Sequence, residues 1–196
     1  MQSYTDAPEL VQQFLNYKIS VQNRSKLTVM QYYHDLRTFF RFIVKTKHPA
    51  KFDGVNESEI SFAEVSDKDI TNVTSMDIYE FLSYAANDLD NKGDSRARKL
   101  SCLRSFYKYL TVTRNIIEDN PTQKIDSPKR NKKYPKFLSL DQSKQLLSAV
   151  DGKNKERDYA IITLFLNCGL RVSELAGINL SDIDSEMTTL YVTGKG

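Results

Sequence analysis

Among the 196 residues, three groupings have the types and spacing to meet a phosphate. The first is Gly169-Leu170-Arg171-Val172-Ser173-Glu174-Leu175, where an arginine follows a glycine turn and a glutamate stands one helical turn later. A carboxylate at that spacing can fix a guanidinium while its fork stays open to an anion, although an i,i+3 surface ion pair reads the same. Lys195, between Gly194 and Gly196, is either a simple turn lysine or a second donor. A second grouping is Arg98, Ser101, Ser105 and Lys108, with Arg104 flanking. At 100° per residue these point away from a helical face centred on Leu103, a stripe suited to phosphates and base edges in a major groove. The third is the run Lys129, Arg130, Lys132, Lys133 and Lys136, interleaved with Pro128 and Pro135. Such a cationic strap can lie along a duplex and release counterions, or simply join two units.

Helices are the elements that must carry these groups. Asp6 or Thr5 can cap a first helix with Leu10, Val11, Phe14, Leu15 and Ile19 on one face. Ser25 can cap a second, in which Val29, Tyr32 or Tyr33, Leu36, Phe39, Phe40 and Ile43 recur at three and four. Residues 45–74 are polar, with Pro49 and Gly54, and suggest a surface loop. Ser75 opens a third helix with Ile78, Phe81, Leu82 and Ala85, and Ser95 caps a fourth with Leu100, Leu103, Phe106, Tyr107 and Leu110 inward. On that fourth helix Arg96 and Lys99 fall towards the apolar side, so their stems should pack and their heads snorkel. Beyond the strap, Ser139 and Gln142 form a capping box. One helix then runs to about Val150, and another from Lys155 to Asn167 closes at Gly169. The β-branched and aromatic residues 188–193 read as a strand entering a turn at Gly194, its partner expected further along the chain.

Charge sharpens this picture. From Gly93 to Lys136 there are twelve Lys or Arg and four Asp or Glu, a balance of +8 within a chain of net +3. A basic segment in an otherwise acidic chain is the footprint of a polyanion site, and a solvated face with a basic linker accounts for it equally well. No apolar run approaches the ~20 residues of a membrane span, and the N-terminus lacks a secretory signal. Cys102 and Cys168 lie in helical apolar patterns without metal-ligand spacing. They read as buried free thiols in a reducing cytoplasm.

Taken in order, these segments resemble one family. Gly169 to Leu175, then Leu180-Ser181-Asp182-Ile183-Asp184, then Val192-Thr193-Gly194-Lys195-Gly196 are similar to the first half of the catalytic domain of tyrosine recombinases, especially the Xer-type and the integron- or phage-type integrases. Arg98 to Leu110 resembles the last helix of their core-binding domain. Asn120-Pro121, Pro128-Lys129 and Pro135 to Ser139 resemble their interdomain linker.

The resemblance implies a mainly α chain. It would comprise a four-helix SAM-like core-binding bundle over 1–120, a basic linker over 121–137, and over 138–196 the first helices and first β-hairpin strand of a mixed α/β catalytic domain. It also implies a reaction in which a tyrosine attacks a phosphodiester, giving a 3′-phosphotyrosyl link and a free 5′-hydroxyl. The covalent intermediate conserves bond energy, so neither cofactor nor metal is expected. By motif Arg171 is the family's first catalytic arginine, Glu174 its brace, and Lys195 the donor of a proton to the leaving 5′-oxygen. The expected DNA contacts are Arg98, Ser101, Arg104, Ser105, Lys108, Lys129, Arg130, Lys132 and Lys133. Partners would be double-stranded DNA and further protomers, four on two duplexes, with no membrane. The family's second arginine, its histidines and the nucleophile have no match. The two histidines, His34 and His48, lie near the front, and none of the eleven tyrosines has the nucleophile's context. The chain is therefore expected to be an inactive DNA-binding fragment. The alternatives are a non-catalytic DNA-binding protein of the same fold and a helical protein-interaction module.

Overall fold

Helix α1 (Glu9–Ser20) brings Leu10, Val11, Phe14 and Leu15 to one buried stripe, whereas Ile19 is 41% exposed and lies off it. The stripe meets α2 (Lys26–Lys47), whose Ser25 side chain accepts the Thr28 amide as the sequence predicts. Val29, Tyr33, Leu36, Phe39, Phe40 and Ile43 of α2 are buried, so this long helix is the axis around which the front of the chain packs. Next come α3 (Asp67–Thr71), α4 (Ser75–Asn87) and α5 (Gly93–Lys108), each in contact with α2 or with a helix that touches it. A wider helical turn at Tyr109–Thr113 finishes α5, its Arg114 amide bonding five residues back to Tyr109. The computed structural model describes residues 4–129, 134–186 and 188–194, and the chain divides into two compact units between residues 132 and 133.

Aromatic rings hold the first unit together. Phe14 meets Phe106 edge-on at 5.2 Å, Phe106 meets Phe40 at 5.7 Å, and Phe39 meets Phe81 at 4.9 Å. Edge-to-face pairs at these spacings add about 0.5–1.5 kcal/mol each beyond burial. Tyr107 is fully buried, and its hydroxyl donates to the Ile70 carbonyl at 3.1 Å, joining α5 to α3. Burial pushes that phenol well above its ordinary range. Tyr107→Phe is expected to cost about 1–2 kcal/mol, because the Ile70 carbonyl loses its buried donor. A urea midpoint unchanged from the parent protein would remove this bond from the account.

Several expectations are corrected here. Residues 45–74 are not a mere surface loop: Phe52, Ile60, Phe62, Val65, Ile70 and Val73 from it are buried in the core. Two short 3-10 turns and α3 place those side chains, with Ser66 and Asp69 capping α3 reciprocally. Helix α4 does open at Ser75 as expected, on a Thr74 cap whose hydroxyl accepts the Asp77 amide while Asp77 accepts the Thr74 amide. Helix α5 starts at Gly93, one turn from its expected cap, so Ser95 is inside the first turn. The stretch after α5 is also less free than a linker. Thr122 and Ile125 are each 2% exposed, and Ser75 donates to the Pro121 carbonyl.

In the second unit α6 (Leu140–Ser148) opens on the predicted Ser139–Gln142 box, and α7 (Lys155–Cys168) packs against it. Gly169 ends α7 in the left-handed region at φ +61°, a conformation that costs glycine nothing. Helix α8 (Val172–Ala176) follows, then a 3-10 turn at Leu180–Asp182. Within the expected strand over 188–193, Leu190 forms a single antiparallel bridge to Ile183, and the Tyr191 amide donates to the Asp182 carbonyl at 2.8 Å. Asp184 makes the turn possible by accepting the Thr188 and Thr189 amides. No described residue of this unit is fully buried, and Cys168, expected inside, is exposed; Cys102 is the buried thiol. Among the described residues no helix is long and apolar enough to cross a membrane.

Candidate phosphate and nucleic-acid contacts

In the first unit the outward stripe of α5 is present, yet its cations are not equally available. Ser101 and Lys108 are exposed and Ser105 is half-buried. Arg98 is exposed but ion-paired with Asp35 of α2, which is itself 3% exposed. Lys99 shares that acid at 3.2 Å and is buried, so its head turns inward instead of snorkelling. Arg96 packs its stem and donates to the Asn91 carbonyl at 2.7 Å. Arg104 donates to the Ser127 hydroxyl at 2.7 Å and to the Ile125 carbonyl, pinning the chain that leaves the bundle. Asp35 was hidden among aromatic residues on the apolar side of α2; its place one turn after Tyr32 on that face was the available signal.

Shallow grooves flank this stripe. One, of about 570 Å³, runs between the start of α2 and α5 past Thr28, Gln31, Arg98 and Ser101. Of the cationic strap, Lys129 is exposed, while Arg130, Lys132 and Lys133 lie outside the described residues.

In the second unit Arg171 is the residue before α8, and Glu174 holds it twice. One Glu174 oxygen accepts the Arg171 amide at 2.8 Å and the other accepts the guanidinium at 2.5 Å. The Arg171 amide, then its guanidinium, keep the Glu174 carboxyl below the ordinary glutamate range, so the brace is an ion pair. The arginine side chain is 76% exposed even so, which leaves the rest of its fork open. Thr193 and Gly194 face it across a cleft of about 490 Å³ also lined by Ser173. An arginine oriented by a carboxylate at the mouth of a cleft has the geometry to accept an oxyanion bidentately. Lys195 lies outside the described residues. Among those described, no cluster of His, Cys, Asp and Glu is arranged to hold a metal ion.

Comparison with known proteins gives the class to which a helical front unit and a second unit with a braced, exposed arginine belong. The model of the phage integrase family matches residues 136–196, and that of the phage integrase N-terminal SAM-like domain matches residues 54–113. The chain belongs to the tyrosine recombinase family. Within it the chain is similar to a protein named tyrosine recombinase XerC from Caldanaerobacter subterraneus subsp. tengcongensis, 47% identical over 96% of this chain and 53% of that protein. It is also similar to the tyrosine recombinase XerC of Listeria welshimeri, 34% identical over 98% of this chain and 58% of that protein. Among solved structures, the integrase from mycobacterium phage Brujita aligns at TM-score 0.47 and 24% identity, over 99% of this chain and 57% of that one. The chain thus spans somewhat more than half the length of the curated relatives it matches.

Proposed function

We propose that this chain is the DNA-binding front part of a site-specific tyrosine recombinase, acting in the cytoplasm on double-stranded DNA together with further protomers. The first unit serves as the core-binding domain and the second as the leading part of the catalytic domain. The braced, exposed Arg171 in the second unit is the observation that carries the reading. Its fork, held by Glu174, would take two oxygens of the phosphate to be cut and stabilise the charge that builds as a nucleophile adds. The whole recombinase would then break one strand through a 3′-phosphotyrosyl link and rejoin it to a partner, Lys195 donating a proton to the leaving 5′-oxygen. Ser101, Ser105 and Lys108 would meet the duplex through the α5 stripe, with Lys129, Arg130, Lys132 and Lys133 following its backbone. Arg98 and Arg104 would contribute less, since each is already engaged within the protein.

Duplex titration at several salt concentrations tests this. Neutralising about four to six phosphates should make log K fall with log salt at a slope near −4 to −5. An affinity independent of salt, or no binding at low salt, would instead fit a helical protein-interaction module.

A further inference from the structure

Lys18 is placed by helix geometry where a lysine is rarely found. It lies one turn beyond Phe14 and Leu15 on the buried stripe of α1, and it is 5% exposed. Its ammonium sits in a cage of rings, 5.0 Å from the centroid of Phe14, 5.5 Å from Tyr32 and 5.9 Å from Tyr17. Among the described residues its hydrogen-bond acceptor is the Gln22 side-chain oxygen at 2.9 Å, and no carboxylate pairs with it.

The surroundings make this more unusual. Lys18 lines a pocket of about 260 Å³ between the α1–α2 turn and the end of α5, and Arg24, Lys108 and Ser105 line it too. The Arg24 amide donates to the Lys18 carbonyl at 2.9 Å, which fixes the turn beside it. Among the described residues neither the Arg24 guanidinium nor the Lys108 ammonium has an acidic partner. Burial, then the charge of Arg24, with Lys108 contributing further, hold the Lys18 ammonium below the ordinary lysine range. Ring faces offset part of this cost, but an unpaired buried cation beside two like charges remains unfavourable. What relieves such a cluster is an anion with several oxygens, able to take an ammonium, a guanidinium fork and a hydroxyl at once.

We infer that this pocket is a phosphate-binding site, which seats one phosphodiester of the duplex where its backbone passes the end of α5. The duplex part of this inference rests on the function proposed above, since Ser105 and Lys108 belong both to the pocket and to the α5 stripe.

Lys18→Met is the direct test, because methionine keeps most of the stem and removes the charge. Inorganic phosphate should raise the wild-type melting temperature relative to chloride at equal ionic strength, and this protection should vanish in Lys18→Met. Duplex affinity should fall about fivefold near 0.15 M salt, and the salt slope should shrink by about 1. Without ligand the variant should melt at or above wild type. A merely structural lysine predicts the opposite, stability and binding falling together. Should Lys18→Met not fold, Arg24→Gln on the exposed turn must give the same loss of slope and of phosphate protection. Phosphate protection with an unchanged duplex slope would mean a free anion fills the pocket and would overturn the phosphodiester assignment. Absence of both effects overturns the site altogether. A wild-type chain that ignores duplex DNA would sink the proposed function instead, and the phosphate arm would still decide the pocket.

Discussion

Asp35→Ala is expected to lower the stability of the first unit by about 3–5 kcal/mol, the cost of stranding a buried cation. Asp35 accepts from Lys99 at 3.2 Å and from Arg98, and both Asp35 and Lys99 are nearly inaccessible to water. Arg98, with 43% of its side chain exposed, can turn out and rehydrate when the acid is lost; Lys99 cannot. The loss should therefore belong chiefly to Lys99. Pairing Asp35→Leu with Lys99→Met, which removes both buried charges, should recover most of it, because well-packed apolar replacements of a buried ion pair are often neutral. Urea unfolding of the two single variants and the double variant measures the coupling directly. Additive losses in the double variant would show that the pair is not what the acid supports.

In the whole recombinase, Arg171→Ala should reduce strand cleavage by about 10²–10³-fold, the range for deleting one preorganised donor to a developing oxyanion. Duplex affinity should barely change if, as proposed, the first unit and the strap supply most phosphate contacts. Arg171→Lys should recover little, for an ammonium cannot reproduce a fork held by one carboxylate and open to another anion. Glu174→Gln should fall between, because it loses the ion pair but retains an acceptor for the Arg171 amide. Covalent protein–DNA complex formed on a nicked duplex is the readout. If Arg171→Ala formed that complex at the parental rate, the phosphate role of this side chain would be excluded.

Much of this architecture can be read from residue order because local and global signals agree. Ser25, the Ser139–Gln142 box and Gly169 mark helix ends through hydrogen bonds that depend on near neighbours alone. The apolar period of α2 likewise announces its buried face. Residues 45–74 give no such signal, for the opposite reason. Their core side chains, such as Phe52, Ile60, Phe62 and Ile70, are separated by tight turns and follow neither a helical nor a strand period. The pattern around Arg171 was legible as spacing, and three-dimensional structure adds that Glu174 grips it through both oxygens. Charges engaged across helices were not legible. Arg98 and Lys99 answer to Asp35, more than sixty positions earlier, and Arg104 answers to Ser127. Pattern along one helix gives exposure; it does not reveal which exposed cation is already spent. The cluster around Lys18 is invisible in residue order for a related reason, since its three cations come from two helices and a turn.

The lack of any fully buried side chain among the described residues of the second unit has a calorimetric consequence. Heat-capacity change on melting follows the apolar surface newly wetted, so the cooperative endotherm of this chain should come almost wholly from residues 4–127. Substitutions at Arg171 or Glu174 should then leave the trace superimposable on the parent's, and changes at Asp35 or Tyr107 should displace it. One scan thus sorts damage to the scaffold from damage to the chemistry.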